Sequence, residues 1–130
     1  MMYFKPGSKL KGFYDAPLPY GRQEFTCAVE EVTEEYRFVA TGEDKDGKFS
    51  LKGCLTNIEP SLMKEGEDNE DETYGISFVK DYVSEDGYKG VEYKGTLVGT
   101  KITGNYSFVW KKGFISKTVT GKFEMNFICS

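Results

Sequence analysis

Apolar residues recur at every second position along most of this 130-residue chain, beginning near Lys9. Successive side chains of a strand point to opposite faces, so this period predicts amphipathic β-strands. The pattern marks eight strands, at residues 9–14, 23–32, 35–42, 48–55, 73–82, 89–98, 101–110 and 117–127. Such a series favours an all-β fold, an eight-stranded antiparallel up-and-down β-barrel, because closure removes the exposed edges of the sheet. A two-sheet β-sandwich stays open as the alternative.

One face of the predicted strands combines large rings with glycines. The glycines of that row are Gly53, Gly95, Gly104 and Gly121. Glycine inside a strand is typical of a sharp bend or of a close approach by another group, so we expect tight coiling with aromatic rings folded over these positions. An eight-stranded barrel is either filled by side chains or wide enough for one small ligand, and the sequence leaves both open.

The spacing of glycines and rings resembles the strands of small calycin-type barrels, the superfamily of lipocalins, fatty-acid-binding proteins and avidins. The elements that carry the resemblance are Gly42-x-Asp44-x-x-Gly47-x-Phe49, Ile76-x-Phe78-x-Lys80-x-Tyr82, Val91-x-Tyr93-x-Gly95, Ile102-x-Gly104-x-Tyr106 and Gly121-x-Phe123. The avidin-like size and meander are the nearest. The resemblance implies an eight-stranded barrel over residues 9–127 with a ligand or partner at its open end. Gly12-Phe13-Tyr14 stands where lipocalins and avidins usually carry Gly-x-Trp, so no family ligand is carried over.

Charge is unevenly distributed along a chain whose net charge is −4. Residues 65–72 hold six of the 21 acidic residues, so the remainder carries 15 acidic residues against 17 basic ones. A block of like charge is usually a solvated loop. We therefore expect a single domain over residues 1–130 with a mobile acidic loop at about 56–72. A mildly basic body without clustered Lys and Arg argues against nucleic-acid binding.

Three cysteines without a CxxC pair predict free thiols and a reducing compartment. The first residues lack the apolar segment of a secretory signal, and no apolar run is long enough to span a membrane. These features predict a cytoplasmic protein with no membrane span. Its oligomeric state is not indicated.

Histidine is absent, which removes the commonest general base and the usual transition-metal ligand. Asp44-x-Asp46-Gly47 supplies two carboxylates where a calcium loop needs about five or more oxygen ligands, and a hairpin turn is the better interpretation. No metal and no cofactor are predicted. Lys80 shares the face of Phe78 and Tyr82, and we expect its ammonium to reach water at the barrel rim. Cys27 is expected in the core.

These patterns favour a non-enzymatic binding domain. One hypothesis is a narrow aromatic cavity for a small apolar molecule, with candidate residues Tyr14, Phe38, Phe78, Tyr93 and Tyr106. The other, slightly preferred, is a protein partner at an interaction loop formed by Trp110, Lys111, Lys112, Phe114 and Ile115, because exposed aromatic residues rimmed by charge mark interaction surfaces.

Two alternatives stay open. The loop around Phe114 and Ile115 would plug the barrel mouth if its apolar side chains turned inward. A histidine-free barrel enzyme would use tyrosine and carboxylate chemistry, and an inward carboxylate beside Tyr93 or Tyr106 would indicate it.

Overall fold

Eight antiparallel strands form a closed barrel in the computed structural model of this chain, which describes residues 4–17, 21–57, 73–84 and 90–128. The strands are β1 (Lys9–Ala16), β2 (Gly21–Val32), β3 (Arg37–Asp44), β4 (Gly47–Asn57), β5 (Thr73–Tyr82), β6 (Val91–Val98), β7 (Lys101–Lys112) and β8 (Ile115–Phe127). Each strand pairs with the next, and β1 pairs with β8. The up-and-down barrel is therefore confirmed, and the sandwich alternative is wrong.

Some sequence predictions fall outside the part of the chain that the structure describes. Residues 58–72, which carry the acidic block, belong to this group. So do Cys129 and the side chains of Trp110 and Lys112. The mobility of the acidic loop and the placement of those two side chains stay predictions.

The core occupies the whole length of the barrel. Its buried side chains come from the alternating inward rows of all eight strands, as the period of two predicted, and Cys27 is among them. The residues fully or almost fully excluded from solvent include Leu10, Val29, Phe49 and Ile102, on four different strands. The barrel is therefore packed by side chains from every part of its wall, as expected for eight strands.

The two ends of the barrel are defined by their hairpins and are named here after one residue each. The β3–β4 and β7–β8 turns lie at one end, called the Asp44 end. The β2–β3 and β6–β7 turns lie at the other, called the Phe4 end because Phe4 packs there against Phe38 and Phe127.

Glycine permits unusually close strand contacts in the wall. Gly95 of β6 and Gly104 of β7 are directly paired. A Cβ built on Gly95 would overlap the carbonyl oxygen of Thr103, and one on Gly104 would overlap that of Lys94. Gly121 lies under the ring of Tyr106, which occupies the space that a Cβ on Gly121 would need. The prediction of close approach is thus confirmed at all three glycines, and a ring folded over the glycine is confirmed at Gly121.

Replacing Gly95 by alanine should destabilise the barrel by about 3 kcal/mol, because the added methyl group must displace backbone rather than a flexible side chain. Gly75, inside β5, provides the matched control, since a Cβ there would approach no atom closer than 3.7 Å. Gly75→Ala should change the free energy of unfolding by less than about 1 kcal/mol. Urea denaturation measures both, and equal losses in the two variants would contradict the close-contact explanation.

Candidate functional site

The β7–β8 hairpin extends past the pairing of its two neighbouring strands at the Asp44 end. Strand β6 pairs with β7 only as far as Ser107, and β1 pairs with β8 only as far as Phe123. The β7–β8 pairing continues beyond both, from Phe108↔Val119 to Lys112↔Ile115. We call residues 108–119 the arm. Its strands, about 17 Å long at 3.3 Å per residue, have no other strand beside them within the described part of the chain.

The turn at the tip of the arm is a tight one. Gly113 has a φ of +62°, and Phe114 follows it without a positive φ. Glycine at the first central position of a two-residue loop is the type II′ pattern, whose twist matches that of paired strands. The tip therefore holds Phe114 and Ile115 at a defined place rather than in a long loop.

Apolar side chains on the arm face solvent. Phe114 is fully exposed, Ile115 is 67% exposed and Val109 is 57% exposed. The alternative in which Phe114 or Ile115 plugs the barrel mouth is therefore wrong. At the base of the arm, Phe108 stacks on Tyr106 with ring centroids 6.5 Å apart, which joins the arm to the core.

The arm is also purely basic. Residues 108–119 contain three lysines, at positions 111, 112 and 117, and no acidic residue. Lys111 and Lys117 are exposed, and neither forms an ion pair with a carboxylate among the described residues. An exposed apolar tip thus lies between unneutralised positive charges, which gives this surface both an apolar and an electrostatic means of attracting a partner.

The five residues predicted to line a ligand cavity lie together in the core. They form one series of ring contacts: Phe38 with Phe78 at 6.1 Å, Phe78 stacked on Tyr93 at 4.8 Å, Tyr93 with Tyr106 at 5.7 Å, and Tyr106 with Tyr14 at 5.7 Å. The rings contact one another and so fill the space between them. The sequence identified the set correctly as neighbours, while ligand binding by them stays a prediction.

Lys80 is buried at the Asp44 end, with 3% of its surface exposed. The expectation that its ammonium reaches water is wrong. Its Nζ lies 3.0 Å from the Oδ2 atom of Asp44, whose side chain is 0% exposed. Four rings surround the same ammonium, and the distances from Nζ to their centroids are 4.3 Å for Phe49, 4.8 Å for Tyr14 and Tyr82, and 5.3 Å for Phe25. The carboxylate and the ring faces together replace the water that burial removes.

Asp44 uses its two carboxylate oxygens for different purposes. Oδ1 accepts a hydrogen bond of 2.8 Å from the backbone N–H of Asp46 and so shapes the β3–β4 turn. Oδ2 accepts hydrogen bonds from Lys80 and from the hydroxyl of Tyr82. The residue predicted as a turn former is therefore also an interior counter-ion. An inward carboxylate is present, but its hydrogen-bond partners are Lys80 and Tyr82 rather than Tyr93 or Tyr106.

Burial controls the proton affinities of this cluster. It lowers the pKa of Lys80 below the ordinary value for lysine, and the negative charge of Asp44 offsets part of that change. Burial raises the pKa of Tyr14 to about 12 and also raises the pKa of Tyr82, to which the hydrogen bond with Asp44 contributes. The thiol of Cys27 has its pKa raised by burial to about 12, so it is a poor nucleophile near neutral pH.

Sequence reasoning missed the Lys80–Asp44 pair, although one signal for it was present. The inward row of β3 runs through Phe38 and Ala40, and counting on by two reaches Gly42 and Asp44. The alternation therefore places Asp44 on the same side of the wall as Lys80. Because Asp44 was interpreted only as a turn residue, its position on the inward face of β3 was not recognised.

No three His, Cys, Asp or Glu side chains cluster as metal ligands within the described ranges. Nor does any helix there have the length and apolar character needed to cross a bilayer. No family model, curated protein or solved structure matches this chain. The functional interpretation therefore depends on the geometry of the arm and of the interior.

Replacing Lys80 by methionine should destabilise the protein by about 3–5 kcal/mol, because Asp44 is left as an unpaired buried charge. Asp44→Asn should cost a similar amount, and the double variant should lose less than the sum of the two single losses. The exposed pair of Arg22 and Asp15 is the control, and Arg22→Met should cost less than about 1 kcal/mol. Urea unfolding measures all four, and a Lys80→Met loss no larger than that of the control would refute the buried pair.

The stability of the protein should fall as the pH rises from 10 to about 12. Tyrosine in the unfolded chain ionises near pH 10, whereas Tyr14 in the folded protein keeps its proton to about pH 12, so the unfolded state releases a proton first. Lys80 acts in the opposite sense, since its lowered pKa makes the unfolded state bind more protons.

Tyr14→Phe isolates the tyrosine effect because Lys80 is present in both proteins. The variant should lose less stability than the parent between pH 9 and pH 11, measured by urea midpoints. Tyr36→Phe, at an exposed phenol, is the control and should follow the parent. Identical pH profiles for Tyr14→Phe and the parent would count against the assignment.

Proposed function

We propose that this chain is a non-enzymatic domain that binds a protein partner through the arm. The observation that carries the proposal is the full exposure of Phe114 at the tip of a two-stranded projection, next to Ile115. Scattered exposed apolar residues are normal on protein surfaces. Adjacent exposed apolar residues at the tip of the arm, which has no other strand beside it in the described part of the chain, are typical of a docking element.

The charge of the arm supports an acidic partner surface. Three lysines and no acidic residue lie within the arm, so a matching partner presents carboxylates around an apolar depression that receives Phe114. The apolar contact supplies the affinity, because buried aromatic anchors dominate most interfaces. The lysines steer the encounter and set its dependence on salt.

The buried cluster supports a non-enzymatic role. Lys80 and Asp44 are 3% and 0% exposed, and the ammonium is already held by the carboxylate and four rings. Catalysis by Asp44 with Tyr82 requires substrate to reach both groups. We therefore interpret the pair as a structural connection between the β3–β4 turn and β5, and the calycin-like form as a rigid support for the arm. The unpaired thiols of Cys27 and Cys54 support a cytoplasmic location.

Photo-crosslinking at the arm tests this function. A benzoylphenylalanine at position 114 should capture a protein from a cell extract, whereas the same probe at the exposed Val98, at the Phe4 end, should not. The captured protein is then purified and its affinity measured by calorimetry. Phe114→Ser with Ile115→Ser should weaken binding by at least about 30-fold, since a single hot-spot residue contributes about 2 kcal/mol or more.

Two controls separate binding from folding. The double serine variant should keep its free energy of unfolding within about 0.5 kcal/mol, because both side chains are exposed. Lys111→Glu with Lys117→Glu should slow association, while Lys94→Glu on the exposed face of β6 should not. Unchanged affinity in the serine variant, or capture of lipid or nucleic acid alone at position 114, would remove the proposal.

A further inference from the structure

Phe4 differs from every other member of the described core, because it alone lies outside the eight strands. It is nevertheless 5% exposed. Its ring meets Phe38 edge-on at 4.7 Å and an interplanar angle of 68°, and it meets Phe127 at 5.8 Å and 82°. These are the edge-to-face arrangements that aromatic pairs prefer. Phe4 thus packs between Phe38 and Phe127 at one end of the barrel, although it is not part of the barrel wall.

A small void lies beside this ring, which is one of its lining side chains. Its volume is about 10 Å³, which is about the least that accommodates one water molecule. The side chains around it are apolar and include Phe4, Leu10, Phe38, Ile102 and Met125. With Phe4 in place the void is too small for a ligand larger than a water molecule. With Phe4 withdrawn, the space of one phenyl ring is added to the void, and the combined pocket opens at the Phe4 end.

The segment that carries Phe4 is attached more weakly than a strand residue that is paired on both sides. Within the described part of the chain, the backbone hydrogen bonds that join residues 4–8 to the barrel run from Gly7 N–H to Val29 O and from Val29 N–H to Ser8 O, both of 2.8 Å. The bond from Ser8 N–H to Lys5 O is internal to the segment. A strand residue of the closed barrel has a ladder on each side. Since local opening is easiest where few hydrogen bonds must break, residues 4–8 should open well before the barrel unfolds.

We propose that the Phe4 end of the barrel is a binding site for a small, uncharged, aromatic molecule that enters by displacing the ring of Phe4. The apolar walls exclude charged or strongly polar ligands, whose desolvation would not be repaid. The edges and faces of Phe38 and Phe127 favour a flat ring, as they do for Phe4 itself. This site is independent of the arm, which lies at the opposite end.

The proposal has a quantitative consequence. Phe4 and the ligand compete for the same site. The apparent dissociation constant of the ligand therefore equals the intrinsic dissociation constant divided by the fraction of molecules in which Phe4 is withdrawn. Any change that favours withdrawal without altering the walls must tighten binding. Gly7 offers such a change, because its φ of +93° is strained for a β-branched residue while no atom lies within 4 Å of an added Cβ.

Fluorobenzene is a suitable probe, with binding followed by ¹⁹F NMR and the position of Phe4 followed by the amide signal of Gly7. The parent protein should bind weakly, with a shift of the Gly7 amide on saturation. Gly7→Val should bind at least threefold more tightly. Phe4→Ala should bind at least tenfold more tightly, since its competitor is gone. Gly21→Val is the matched control, with a φ of +66° and equally open surroundings at the Asp44 end, and should bind like the parent.

Three results would overturn the proposal. They are no uptake of fluorobenzene by the parent at its solubility limit, binding without any shift at Gly7, and binding by Gly7→Val that is no tighter than binding by Gly21→Val. Binding by Phe4→Ala alone would mean only that a cavity had been created by the substitution. If Phe4→Ala does not fold, the comparison of Gly7→Val with Gly21→Val still decides the question.

Discussion

The structure depends on how closely neighbouring strands approach one another in the barrel wall. Where Gly95 faces Gly104, each strand's carbonyl groups occupy the space that a side chain on the other would need. The same holds at Gly53, where a Cβ would overlap the carbonyl oxygen of Ser77 on β5. These contacts let eight short strands coil and close. A barrel closed this tightly has a narrow interior, which is why rings in mutual contact fill it.

A narrow, filled interior leaves few ways to include a charge. Lys80 is accommodated because its long side chain reaches Asp44 and because four rings present their faces to the ammonium. No described buried side-chain polar atom lacks a hydrogen-bond partner. The polar cluster lies at the Asp44 end and the apolar void at the Phe4 end, so the interior is divided chemically along its axis.

Periodicity was sufficient to predict the strands, because a period of two reports which face of the sheet each residue occupies. It also placed Phe38, Phe78 and Tyr93 on the inward face, where their rings contact one another. It did not predict closure, which depends on pairing β1 with β8 across more than a hundred residues of sequence. Nor did it predict the depth of Lys80, because the face of a strand says nothing about distance from the barrel rim. Asp44 is 36 residues from Lys80 in sequence, and only the register of β3, β4 and β5 brings them together.

Sequence reasoning predicted the apolar residues of the arm but not their exposure. Phe114 and Ile115 stood out because they lie next to lysines near a glycine turn, whereas their exposure depends on where β6 and β1 stop pairing. Those end points are set by the lengths of other strands, which local pattern does not report. Sequence reasoning did not predict that Phe4 packs in the core, since residues 4–8 have no periodic pattern and form no strand.

The double use of the Asp44 carboxylate makes two hairpins of this barrel very different targets for loop transplantation. The β3–β4 turn shares one side chain with the interior, so a foreign sequence inserted there would have to restore the counter-ion of Lys80 as well as the bend. Among the described side chains of the arm, the ring contact with the core is made by Phe108 at its base, so the β7–β8 tip can be exchanged without removing the counter-ion of Lys80. A lineage that acquired new partners through this scaffold would therefore have varied the second hairpin and kept the first.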